Sequence, residues 1–341
     1  MQRYNIPPMI SFPPIFTRRA LLSFVTIVLV LSFAAPAAVA QTHSSIPVVA
    51  TFSILGDMVK RVGGEHVDVT TLVGPDGDTH VYQPTPADAR AVNEAQVLFV
   101  NGLQFEGWLE RLIDASGFRG VLVVATDGVE LIAFADEHDD DDQHADDDHD
   151  DDHDDDHDDD DHHDHGVFDP HAWQSLRNAM VYVDNIAEAL AKADPGNADA
   201  YHRNRDSYAD EIEALDSEIR RIAATLPVSS RTVVTSHDAF QYFGRDYGLT
   251  FIAPQGLSTE SEASAQDVVR LIEQIRDLGI RAVFVENVAD PRLLERIADE
   301  TGATIGGTLY PGALSGPDGP APTYLDMMRH NAMTLAEALA S

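Results

Sequence analysis

Short apolar runs alternate with segments of helical spacing from Ile46 almost to the end of the chain. Residues 47–52, 67–73, 96–100 and 121–124 read as strands, with helices near 54–62, 86–94 and 105–115 between them. The alternation resumes in the second half. Strands are expected at 232–235, 249–253, 282–285 and 303–309, and helices at 239–247, 265–278, 291–301 and 323–339. Strands separated by helices imply parallel sheets. Between the halves, 173–193 has helical spacing and Asp194-Pro195-Gly196-Asn197 breaks it. Residues 198–226 then run without glycine or proline, and Tyr201, Tyr208, Ile212, Leu215, Ile219 and Ile222 form one apolar stripe. A helix of that length spans about 40 Å at 1.5 Å per residue, long for one domain and suited to a strut between two. The pattern therefore predicts an α/β protein with two parallel-sheet lobes joined by one long rigid helix. The expected bounds are 46–195 for the N-terminal lobe, 197–226 for the linking helix and 228–341 for the C-terminal lobe. No sequence repeat between the lobes is clear.

Two stretches fall outside this pattern. Residues 1–40 read as an export signal: Arg18 and Arg19 are followed by an apolar run too short to favour a membrane span, and Ala38-Val39-Ala40 suits a signal peptidase. Cleavage is expected near Ala40. The paired arginines leave both the general export route and the twin-arginine route open. Residues 136–165 are the second stretch. They carry 19 aspartates, one glutamate and eight histidines (His138, His144, His149, His153, His157, His162, His163 and His165) with a single alanine to bury. Like charges repel there and nothing apolar offsets them, so the insertion is expected to be disordered without a counterion.

This insertion accounts for −20 of the net charge of −36, leaving a mildly acidic globular remainder. Such a balance argues against nucleic-acid binding. The chain has no cysteine, which excludes structural disulfides, thiolate metal sites and a cysteine nucleophile. It also leads us to expect no lipid anchor, because lipoprotein attachment uses a cysteine at the cleavage point. Export without an anchor suggests a periplasmic protein.

Seven histidines remain outside the insertion. His43, His66, His202 and His330 lie in polar or helical surface settings. The other three share a different one. His80 follows a strand in Gly74-Pro-Asp-Gly-Asp-Thr-His80, His171 sits at a helix start in Asp169-Pro-His-Ala-Trp173, and His237 directly follows a strand in Thr235-Ser-His-Asp238. Open parallel sheets bind ligands outside the carboxyl ends of their strands. Three neutral imidazoles suit a borderline-soft divalent ion, with Zn(II) the default. Asp169 and Asp238 flank two of the histidines and could fix their tautomers, although Asp169 could equally cap the helix that follows. Zinc needs a fourth ligand, for which Glu286 and Asp318 are the candidates near the last strand exits.

Five motifs then carry a family resemblance: Asn101-Gly-Leu-Gln-Phe-Glu-Gly-Trp108, Asp169-Pro-His-Ala-Trp173, Ser236-His-Asp-Ala-Phe240, Gly256-Leu-Ser-Thr-Glu-Ser-Glu262 and Thr323-Tyr-Leu-Asp-Met-Met-Arg-His-Asn331. With these, nearly the whole mature chain resembles the zinc and manganese receptors of ABC transporters. The resemblance implies two α/β lobes bridged by a stiff helix, metal held between them, little domain closure and delivery to an ABC importer permease in the cytoplasmic membrane. It makes His80, His171 and His237 the first three ligands. Histidine at the third position resembles the zinc branch, as does an Asp/His-rich insertion between the first two. In 308–314 the family commonly has an aspartate ligand where this chain has Gly312, so the fourth ligand stays open between water, Asp318, Glu286 and the insertion.

The leading expectation is a zinc receptor whose insertion collects zinc weakly near a tight site. A manganese or iron receptor of the same fold is the alternative. A three-histidine zinc hydrolase or hydratase is also chemically conceivable, although no motif places a general base. The protein is expected to be a monomer, with a zinc metallochaperone as a further possible partner.

Overall fold

The structure, a computed structural model, describes residues 45–133 and 168–340, which fall in one compact unit. The expected signal at 1–40 and insertion at 136–165 lie outside the described residues. In the first half, β1 (Ile46–Phe52), α1 (Ser53–Gly63), β2 (Val67–Val73), α2 (Pro86–Glu94), β3 (Val97–Val100), α3 (Leu109–Ser116) and β4 (Val121–Val124) alternate as expected. Helices α4 (Leu176–Ala193) and α5 (Ala198–Ala224) follow. The second half contains β5 (Thr232–Val234), α6 (Gln241–Tyr247), β6 (Thr250–Ile252), α7 (Ala265–Leu278), β7 (Ala282–Glu286), α8 (Arg292–Thr301), β8 (Thr304–Leu309) and α9 (Tyr324–Leu339). Among the described residues, no helix is long and apolar enough to cross a membrane.

Both sheets are wholly parallel, in the orders β2-β1-β3-β4 and β6-β5-β7-β8. They share one topology, although no sequence repeat announces it. In each sheet the chain steps outward from its first strand to its second, then crosses back to its third. That reversal opens a crevice at the carboxyl ends of β1 and β3, and of β5 and β7, where a parallel sheet binds its ligand.

The two sheets do not have separate cores. One apolar cluster takes in Phe52 and Leu98 of the first sheet, Trp173, Leu215 of α5, Phe240, Phe284 of the second sheet and Met328 of α9. A smaller cluster of Val234, Leu271, Ile275, Val283, Leu294 and Ile297 fills the space beneath α7 and α8. The strand period of two explains the division: Val233 and Phe284 point into the large core, while their neighbours Val234 and Val283 point into the small one. α5 buries Tyr201, Tyr208, Ile212, Leu215 and Ile219. It packs on α1 and α4 from the first half and on α6 and α9 from the second.

Two helix boundaries differ from expectation. The helix expected at 105–115 starts at Leu109 instead. Gly102, Leu103 and Gln104 all have positive φ (88°, 53° and 60°), and Glu106 folds back to accept the Asn101 and Gly102 amides. Residues 101–108 are thus a loop at the exit of β3. Likewise α4 starts only at Leu176, because Ala172–Gln174 form a 3₁₀ turn and Ser175 caps the helix through the amide of Asn178.

Candidate metal centre

The strand exits bring the three histidines together. His80 lies in the loop between β2 and α2, His171 at the entry to the 3₁₀ turn before α4, and His237 just beyond β5. Their candidate ligand atoms all lie within 4.8 Å of one another, the one such group of His, Cys, Asp and Glu among the described residues. Nε2 of His80 is 3.3 Å from Nε2 of His171. A tetrahedral zinc with Zn–N near 2.05 Å has an edge of about 3.3 Å between ligand nitrogens, so this pair is spaced for it. His171 and His237 are fully buried, and His80 is partly exposed.

Carboxylates hold two of the rings from behind. Oδ1 of Asp169 accepts both the backbone amide (2.9 Å) and Nδ1 (2.8 Å) of His171. Oε2 of Glu286 lies 2.5 Å from Nδ1 of His237, while its Oε1 accepts the amides of Ser236 and His237. With Nδ1 donating, each ring turns a bare Nε2 to the centre. Glu286 can do this because β7 pairs with β5, and its carboxylate at the end of β7 meets the β5 exit. Both its oxygens are occupied this way, so Glu286 orients a histidine and is not among the converging atoms. Asp238 does not take that role. It accepts from Gln241 Nε2 at 2.6 Å, and burial raises its carboxyl to about 6. Asp318 is exposed on the loop after Gly316 and is outside the cluster. A Cβ placed on Gly312 would meet Phe105 and Trp173 only at 3.9 Å, so the loop is free to carry a side chain there and simply does not.

Burial and mutual proximity set the proton affinities. Burial first, then the neighbouring His171 and His237, lowers the His80 imidazole to about 2. Burial likewise pulls His171 well below the ordinary histidine value. Burial opposes charge on His237 too, but the charge and hydrogen bond of Glu286, helped by Asp78 and Asp238, outweigh it and raise its pKa. Burial lifts Asp169 to about 7, partly offset by the His171 amide.

A cavity of about 650 Å³ leads outward from His80, between Gln104, Phe105 and Glu110 on one side and Leu257, Ser258 and Glu260 on the other. Phe168 also lines it and forms an antiparallel bridge with Ala133. The remaining described histidines lie elsewhere: His66 stacks edge-on against Tyr201, His202 is on α5, and His330 donates to the Thr308 carbonyl. Asp78, Thr259, Glu106 and Phe105 are not marked out by the sequence pattern; they lie in the segments 74–80, 256–262 and 101–108, which do not reveal their roles.

Residues 48–338 match the family described as zinc-uptake complex component A, periplasmic. The chain belongs to that family. Its members are metal-binding, substrate-binding components of ABC transporters, which work with a membrane permease. Among relatives, the iron-binding protein YfeA of Yersinia pestis is 31% identical over 318 residues, covering 92% of this chain and 94% of that one. The manganese-binding lipoprotein MntA of Bacillus subtilis is 32% identical over 307 residues, covering 88% and 91%. The periplasmic zinc-binding protein TroA of Treponema pallidum superposes with a TM-score of 0.76 at 28% identity, covering 87% of this chain and all of that one. The family's fold is the one expected, two parallel four-stranded sheets with helices.

These relatives correct the expectation of an unanchored protein. MntA is named a lipoprotein, as are the substrate-binding components of Streptococcus mitis and Streptococcus sanguinis. The lack of cysteine speaks to one chemistry of attachment only and does not establish that the protein is unanchored.

Proposed function

We propose that the ion carried is Zn(II), held by His80, His171 and His237 and passed to an ABC importer. The observation behind this reading is the composition of the converging set: three imidazole nitrogens and no carboxylate. Manganese favours oxygen donors, whereas imidazole suits zinc. The nearest carboxylates, Asp169 and Glu286, are committed to the Nδ1 sides of the rings. A fourth donor is then supplied from the cavity, most simply as water. The ion is cargo here: it enters by displacement of its waters by imidazoles and leaves intact.

We propose further that the Asp/His-rich insertion collects zinc weakly. Its flanking residues support this, since Ala133 and Phe168 are bridged and Phe168 lines the cavity that leads to His80. The two sheets would act as lobes 46–195 and 228–341 on the linking helix.

The test is calorimetric competition between zinc and manganese for the mature protein. Zinc should occupy one tight site that excess manganese fails to empty. Displacement of zinc by equimolar manganese would transfer the reading to a manganese or iron receptor.

A further inference from the structure

His80 is held differently from its two partners. The segment bearing His171 is clamped by the second half. Trp173 Nε1 and Gln174 Nε2 donate to the Pro311 carbonyl (2.8 and 2.7 Å), Tyr242 donates to the Asp169 carbonyl (2.9 Å), and Tyr324 to that of Trp173 (2.6 Å). His237 is backed by Glu286. Among the described residues, no carboxylate hydrogen-bonds the ring of His80, and its loop meets the second half through a few polar contacts near the surface. The Asp76 amide donates to the Leu314 carbonyl (2.8 Å), Asn287 donates to Asp76 (3.0 Å), and Thr259 donates to Asp78 (2.5 Å).

The last contact stands apart because one carboxylate does two things. Oδ1 of Asp78 accepts the backbone amide of His80 at 2.9 Å, and its Oδ2 accepts the Thr259 hydroxyl. Thr259 belongs to the segment after β6 that runs beside the His237 exit. His237 is bridged to Gln255, and the Asp238 amide donates to the Gly256 carbonyl at 3.0 Å. Ser258 and Glu260 on either side of Thr259 line the cavity. Asp78 therefore fixes the His80 backbone relative to the His237 segment across the cavity rim.

We propose that Asp78 is the positioning residue for His80, and that metal release begins when its link to Thr259 breaks and His80 swings away first. This rests on the three-histidine site. A charge-assisted bond on each oxygen makes the geometry stiff. Once either bond is lost, the least enclosed of the three ligands keeps only the more distant ties of its loop, such as that of Trp108 Nε1 to the Thr79 carbonyl (2.8 Å), and is held less firmly beside the cavity it already faces.

The test is the rate at which zinc, loaded below one equivalent, is lost to excess chelator. Asp78→Ala should speed release by about tenfold or more, the scale of losing hydrogen bonds to a charged group. Thr259→Val, which breaks only the cross-link, should speed it by a smaller factor and add nothing to Asp78→Ala. Asp78→Asn keeps an acceptor for the His80 amide and a partner for Thr259 but loses the charge assistance, so its rate should fall between wild type and Asp78→Ala. If the charge of Asp78 alone mattered, Asn would be as fast as Ala, and the positioning role would be wrong. Release by Asp78→Ala or Thr259→Val at the wild-type rate would also overturn it. If Asp78→Ala does not fold, Thr259→Val decides. The underlying site is tested separately: His80→Ala that binds zinc and manganese as tightly as wild type would remove the site itself. His80→Ala that weakens binding while the other variants release normally would remove only the role of Asp78.

Discussion

As the proposed ligands, the three imidazoles would meet a metal ion with unequal proton affinities. His80 and His171 are already neutral near pH 7, because burial holds them far below the ordinary value, whereas His237 is raised by Glu286. Among the three rings, only His237 then makes the metal compete with a proton, while Asp169, lifted to about 7, holds a second exchangeable proton behind His171. As pH falls through the raised pKa of His237, affinity should drop about tenfold per unit, and above it affinity should level off. Calorimetry in buffers of different ionisation enthalpy should find about one to two protons released per ion bound at low pH, from His237 and Asp169. Release of about three would mean that the rings titrate as independent histidines. The histidines themselves were legible in the sequence because strand exits are readable from the apolar pattern. Their supports were not. Asp238 adjoins His237 in sequence, yet Glu286, 49 residues away, holds the ring. Strand pairing, which single-sequence reading does not supply, brings it there.

At the scale of elements, most strands and helices followed from periodicity, and the failures have local causes. In 105–115 the spacing of Phe105, Leu109 and Leu112 suggests a helix from the start. The polar demand of Glu106 for the Asn101 and Gly102 amides wins over it, and the chain pays with positive φ at Leu103 and Gln104. The long helix was legible because nothing polar competes with its stripe. Ile212 on α5 is 1% exposed, between helices from both halves. Ile212→Ala should cost about 2–5 kcal/mol in denaturant unfolding, while zinc affinity changes little. A loss below about 1 kcal/mol would mean that α5 is a loosely seated linker.

For the molecule as a whole, the continuous core constrains motion. Hinged receptors close two domains with separate cores over a ligand, but here Phe52, Trp173, Leu215, Phe284 and Met328 belong to one cluster. The two parallel sheets were readable from the order of elements. The fusion of the cores was not, because it depends on which face of each strand turns inward. Calorimetry should show a single cooperative unfolding transition, shifted upward by zinc through mass action. Two resolved transitions, with zinc moving only one, would show that the halves fold independently. Rigidity of this kind leaves metal exchange to the loops at the strand exits, above all the one bearing His80. The ligand set is therefore the heart of the account, and X-ray absorption of the protein loaded below one equivalent of zinc reads it directly. Three imidazole nitrogens at about 2.0 Å with one further light-atom donor are expected. Fewer than three imidazoles, or a carboxylate in place of one, would contradict it.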